Sequence, residues 1–226
     1  MSDNQREAGT IILDPTHASF APEETVHDLG ATHFIGIGGA GMSVLAEMLH
    51  EQGVEVDGSD REPSAKTDRL QSLGITVEFG QQAKNVEGKN TVVFSSAIKP
   101  DNPEIVAAHE AGERIVHRSD ILALLMNAKR AVTVAGAHGK TTTTSMITTA
   151  LELAGRDPSA VIGGKLRTIG GYGRSGATQR FVYEACEFKD TFLSTHPDIA
   201  LVLNIDNDHM EYFHTCLLYT SPSPRD

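Results

Sequence analysis

Val134 to Thr144 reads VAGAHGKTTTT, and this stretch decides how the chain is read. Within it, Gly136–Thr141 has the spacing G-x-x-G-K-T, the closing part of a phosphate-binding loop in which backbone N–H groups, a lysine and a hydroxyl surround a polyphosphate. The full pattern places a further glycine where this chain has Val134, so the flanking sequence must decide. Upstream, RAVTVAG is an apolar strand. Downstream, KTTTTSMITTALELAG carries Met146, Ile147, Ala150, Leu151 and Leu153 at helical spacing and stops at Gly155. A loop between a strand and a helix N-terminus is where backbone amides and the helix dipole meet an anion. There Lys140 is expected on the β- and γ-phosphates and the Thr141 hydroxyl on Mg²⁺, with Thr142 one step into the helix and placed to meet a phosphate oxygen.

Working back toward the N-terminus, strand-like and helix-like runs alternate from about Ala31: THFIGIGG, AGMSVLAEMLHEQG, VEVDGSD, TDRLQSLG, ITVEFG, NTVVFSS, DNPEIVAAHEAG, ERIVH and SDILALLMNA. This order predicts right-handed βαβ units and a parallel, doubly wound α/β sheet over residues 28–128. Its first turn, IGIGGAGM, fits G-x-G-x-x-G at Gly36, Gly38 and Gly41, with Asp57 and Asp60 following the next strand, a pattern suited to a nucleotide diphosphate. The motif does not separate NAD from a UDP-sugar. A second α/β unit is expected over 129–215, with further strands at FVYEA and IALVLNI. The glycine-rich GGKLRTIGGYGRSGA is read as a long connection, and residues 1–27 as a mobile leader.

The formal charge of −11 argues against a general electrostatic grip on nucleic acid or an anionic membrane. The N-terminus lacks the basic flank and apolar core of a signal peptide, and the longest apolar run, ILALLM, is too short to span a bilayer. Two cysteines, Cys186 and Cys216, provide neither a disulfide framework nor a C-x-x-C pair. A cytoplasmic protein is expected. Metal ligands beyond the loop are sought at the ends of the next two strands: Glu184, and Asn204, Asp206, Asp208 and His209 in NIDNDH.

Taken in order, GIGGAGMSVLAEML, GSD, VVFSSAI, DNPEIVAAHEAG, AGAHGKTTTT, EACE and NIDNDHMEYF resemble the Mur ligases over roughly Leu29 to Phe213. The resemblance implies a Rossmann-like UDP-binding domain followed by a P-loop ATP-binding domain. It implies UDP-N-acetylmuramate on Gly38, Gly39, Ala40, Gly41 and Met42, with Asp60, Ser95, Ser96 and Ala97 lining the rest of that site. It implies ATP on Gly136, Ala137, His138, Gly139, Lys140, Thr141 and Thr142, and Mg²⁺ on Thr141, Glu184 and His209. The implied reaction is ATP-dependent joining of L-alanine to the carboxylate of UDP-N-acetylmuramate through an acyl phosphate. A ligase that recycles cell-wall tripeptide, or a non-catalytic NAD or nucleotide module, are the alternatives. The chain departs from the family at Ala137, Cys186, Phe188 and Lys189, so no role is carried onto Glu187 or Asp190.

The family has a third domain that helps bind ATP and receives the amino acid. This chain is expected to stop inside the central domain and, alone, to have little or no ligase activity. Its last eleven residues, CLLYTSPSPRD, share no pattern with the family and can be back-translated to a sequence that resembles a sequencing-library adapter, so 216–226 is expected to be a non-native tail.

Overall fold

A computed structural model of the protein describes residues 19–21, 23–185 and 195–206. The expected alternation is present. The first unit comprises β1 (Thr32–Ile35), α1 (Ala40–Glu51), β2 (Val56–Asp60), α2 (Ala65–Ser72) and β3 (Thr76–Phe79). It continues through β4 (Thr91–Phe94), α3 (Pro103–Ala111), β5 (Arg114–His117) and α4 (Arg118–Asn127). Its five strands lie in the order β3-β2-β1-β4-β5, all parallel. The order reverses between β1 and β4, and ligands of such sheets bind in the crevice beyond the strand ends at that point. The glycine turn after β1 opens into it.

The second unit comprises β6 (Arg130–Ala135), α5 (Lys140–Leu153), β7 (Ser159–Leu166), β8 (Gly171–Arg174), β9 (Arg180–Glu184) and β10 (Ile199–Val202). Its sheet runs β10-β6-β9-β7-β8, parallel except for the β7–β8 hairpin. The stretch expected to be a long connection is therefore largely strand. Its glycines hide a β pattern that pairing supplies, because β7 lies beside β9 and folds back on β8. Placing β6 between β9 and β10 brings the ends of both neighbours to the loop that follows β6.

One apolar core joins the units. Phe34, Leu45 and Leu49 of the first pack in the same cluster as Phe181 and Tyr183 of the second. Full burial of such a side chain contributes roughly 1.5–3 kcal/mol, which makes this shared core the main tie between the sheets. Residues 19–27, expected to belong to a mobile leader, are anchored where described. Val26 is buried, the Ser19 hydroxyl donates to Asp120 at 2.7 Å, and Arg114 pairs with Glu24 at 2.6 Å. The polar composition concealed these few contacts.

A polar cluster is buried within the first sheet. His33 Nδ1 lies 2.7 Å from Asp57, its Nε2 is 3.7 Å from Glu104, and Lys89 reaches Asp57 at 2.5 Å. Glu104 also accepts from Ser59 at 2.7 Å and from Asn85 at 2.6 Å. Burial alone would lower the His33 pKa, but the two carboxylates overcome it and hold it above its ordinary value. For Asp57 and Glu104 burial works upward, and His33 with the other donors outweighs it, leaving both below the usual carboxylate range. Asp57, read from sequence as part of the nucleotide pattern, is committed to this cluster instead, because β1–β2 register sets it beside His33.

Candidate active site

The two loops share one departure from ordinary helix construction. Helices α2 and α4 begin with capping boxes at Ser64 and His117, and α3 is capped by Asn102. Helices α1 and α5 begin at Gly39 and Gly139, with no side-chain cap and no acidic residue in the first turn. Their leading N–H groups thus meet no competing side-chain oxygen, which is the arrangement that suits an anionic ligand.

In the first loop the Gly38 N–H donates to Asp60 at 2.7 Å, so Asp60 ties the turn to the end of β2. Ser95, Ser96 and Ala97 follow β4 across the crevice. Ser96 Oγ lies 3.1 Å from His117 Nε2, and His117 Nδ1 accepts the Ser119 N–H at 3.3 Å. Bonded to Ser96 on one side and Ser119 on the other, the His117 ring ties the ends of β4 and β5 together.

In the second loop Lys140 Nζ donates to the Gly136 carbonyl at 2.6 Å, so the lysine folds over its own loop. His138 N–H donates to Asn204 Oδ1 at 2.9 Å, and Asn204 Nδ2 donates back to the His138 carbonyl at 2.9 Å. Asn204, at the end of β10, is thus a two-point clamp on the loop. The Thr141 hydroxyl donates to Glu184 at 2.9 Å, and the Gly163 N–H donates to the other Glu184 oxygen at 2.8 Å. Glycine at 163 leaves room for this arrangement, since a Cβ there would stand 2.8 and 2.9 Å from the two carboxylate oxygens and displace them.

Thr141 and Glu184 supply a hydroxyl and a half-buried carboxylate at one point, a donor set suited to a hard divalent cation. Among the described residues no group of three or more His, Cys, Asp or Glu side chains gathers for a metal. Beyond these two, a cation there would draw on phosphate oxygens, water and side chains outside the described residues. His209 and Asp208 lie outside the described residues, and Asp206 is turned to His138, 3.8 Å from its Nε2.

The two loops meet at a pocket of about 300 Å³, lined by Ala40 and Gly41 of the first, Lys140 of the second, Gly163, Glu184 and Arg118. Sequence reading passed over Arg118 and Gly163. A cation opening a helix was the available signal for Arg118, whereas Gly163 gave none.

Two successive α/β sheets, each with an uncapped loop–helix junction opening on one pocket, define a two-unit α/β protein with two anion-suited loops side by side. The Mur ligase family, catalytic domain, matches residues 31–130, and the Mur ligase middle domain matches residues 134–221. The chain belongs to the Mur ligase family.

Among relatives, UDP-N-acetylmuramate--L-alanine ligase of Bifidobacterium adolescentis is 76% identical over 223 residues, covering 95% of this chain and 43% of that protein. The protein of the same name from Sorangium cellulosum is 48% identical over 183 residues, covering 81% of this chain and 39% of that one. In a crystal structure, UDP-N-acetylmuramate-alanine ligase of Thermotoga maritima superposes with a TM-score of 0.77 at 31% identity, covering 83% of this chain and 44% of that one. UDP-N-acetylmuramate:L-alanyl-gamma-D-glutamyl-meso-diaminopimelate ligase of Neisseria meningitides gives 0.75 at 30% identity, covering 80% and 62%. The chain spans about two fifths of the length of the curated relatives it matches.

Proposed function

We infer that this chain is the nucleotide-handling part of an ATP-dependent ligase that joins L-alanine to the lactyl carboxylate of UDP-N-acetylmuramate. The observation that carries the reading is the single pocket shared by the Gly41 turn and by Lys140 and Glu184. It would set a sugar nucleotide on the first loop against a triphosphate on the second. The names of the 76% and 48% identical relatives support the substrate pair.

On this reading Gly38, Gly39, Ala40, Gly41 and Met42 hold the diphosphate, with Asp60, Ser95, Ser96 and Ala97 around it. ATP lies along Gly136, Ala137, His138, Gly139, Lys140, Thr141 and Thr142. A carboxylate and an amine do not condense unaided at neutral pH, so the carboxylate oxygen first attacks the γ-phosphorus and ADP leaves. The amine then attacks the acyl carbon, the C–O bond breaks, and phosphate leaves with the amide formed. Lys140 would give up its Gly136 carbonyl for the phosphates and offset charge on the transferring group. Thr141 and Glu184, with His209, would hold Mg²⁺, which when bound neutralises phosphate charge. The oxygen donors present fit that ion. Such chemistry belongs to cytoplasmic peptidoglycan synthesis. No helix among the described residues is long and apolar enough to cross a membrane.

The amine is the least constrained part of the proposal. The Neisseria structure, nearly as similar as the Thermotoga one, supports a tripeptide as the second reading. A protein of the relatives' length carrying these residues should release phosphate from ATP when given UDP-N-acetylmuramate and L-alanine. Turnover with the tripeptide but not alanine would favour the second reading. No phosphate release with either amine would refute both.

A further inference from the structure

Arg118 opens α4 at the helix end where a cation is electrostatically unfavourable. It is half-buried and, among the described residues, forms no hydrogen bond or ion pair. The acid of its own turn, Asp120, is engaged with the His117 N–H at 3.1 Å and the Ser19 hydroxyl. A guanidinium with five donors, partly withdrawn from water and set against a helix dipole, is a costly arrangement for stability alone.

Its position explains the cost. Arg118 Nη1 lies over Gly41, so close that a Cβ at that residue would stand 2.2 Å from it. Gly41 is in the first, uncapped turn of α1, and Arg118 lines the same pocket as Ala40, Gly41 and Lys140. Two helix N-termini and a planar cation therefore converge beside the first glycine loop. A side chain at the third glycine of G-x-G-x-x-G would displace the guanidinium from this position.

We propose that Arg118 is a ligand-binding residue that holds the diphosphate of the nucleoside diphosphate on the first loop, its fork taking phosphate oxygens alongside the α1 amides. Arginine suits this task because its rigid donors match phosphate geometry, and a lysine would supply only a point charge. The inference rests on the reading that the first loop binds a uridine diphosphate group.

The test is calorimetric titration of the 226-residue protein, unmodified and as R118Q and R118K, with UDP, UDP-N-acetylmuramate and ATP, beside thermal melts. R118Q should weaken UDP and UDP-N-acetylmuramate by the same factor, about 10- to 100-fold for lost charge-assisted bonds, and leave ATP unchanged. R118K should recover only part of the loss. Because Arg118 has no hydrogen-bond or ion-pair partner among the described residues, R118Q should melt at or slightly above the unmodified protein, whereas a structural role would lower the melting point. Unchanged UDP affinity in R118Q, or an effect confined to UDP-N-acetylmuramate, overturns the proposal while leaving the first-loop reading intact. Failure of the unmodified protein to bind UDP at all overturns both.

Discussion

Gly163→Ala isolates the geometry around Glu184. The added methyl would stand 2.8 and 2.9 Å from the carboxylate oxygens and 3.0 Å from its carbon, all inside contact distance. The atoms met are the end of the flexible Glu184 side chain, so the carboxylate is what moves. It then loses the 2.8 Å bond from the Gly163 N–H and the 2.9 Å bond from Thr141. Bonds to a charged acceptor are worth roughly 1.5–3 kcal/mol each when fully buried, and less at a half-buried group that can turn toward water. The fold should lose only about 1 kcal/mol, a fall of about 2–4 °C in melting temperature. Magnesium should suffer more, because a displaced carboxylate no longer meets the ion beside Thr141. We expect ATP affinity in the presence of Mg²⁺ to drop about tenfold, or ~1.4 kcal/mol, and ATP affinity in EDTA to stay as in the unmodified protein. Calorimetric titration in the two buffers reads the difference directly. An unchanged Mg²⁺-dependent increment, or an equal loss with and without the ion, would refute the role given to Glu184.

Lys140→Ala should reduce ATP binding by about 100-fold through loss of a charged donor to the phosphates, while UDP-N-acetylmuramate affinity is retained. Equal losses of both ligands would indicate a collapsed fold, to be seen in the circular dichroism spectrum. Asn204→Ala removes both bonds of the clamp on His138; since these are exposed, stability should fall by at most about 1 kcal/mol, with a clear weakening of ATP. Stability against urea should be greatest between the ordinary values of about 4.5 for a glutamate and 6.5 for a histidine. Asp57 and Glu104, held low, lose their contribution on acidification, and His33, held high, loses its own as pH rises through its raised pKa. His33→Gln should lower stability at pH 6 by about 3 kcal/mol, by leaving Glu104 buried without a cation, and should flatten the alkaline fall. An unaltered alkaline limb would contradict that assignment.

The parallel sheet of the first unit was legible because its strands are apolar runs and its helices carry a 3.6-residue period, with stops at Gly53, Gly74 and Gly112. The loop at Gly136–Thr141 was legible because spacing and flanks agree. Glu184 was singled out from its place at a strand end, and the structure sets its carboxylate 2.9 Å from the Thr141 hydroxyl. Other features depend on partners distant in sequence. The GGK run lies inside β7, whose pairing with β9 and β8 is made by residues on either side of it, and Gly163 matters because Glu184 lies against it. Arg118 and Gly41 are 77 positions apart and meet through packing of α4 on α1, which no local period records. Asp57 looked like a nucleotide ligand by count alone, and the β1–β2 register gave it to His33.

The central claim, that the glycine loop after β1 serves a UDP-sugar beside an ATP loop, is tested most directly by titrating the protein with UDP-N-acetylmuramate and with NAD, each with and without saturating Mg·ATP. The account predicts that UDP-N-acetylmuramate binds, that it still binds when ATP is present, and that NAD does not. Binding of NAD in preference to the UDP-sugar would contradict it.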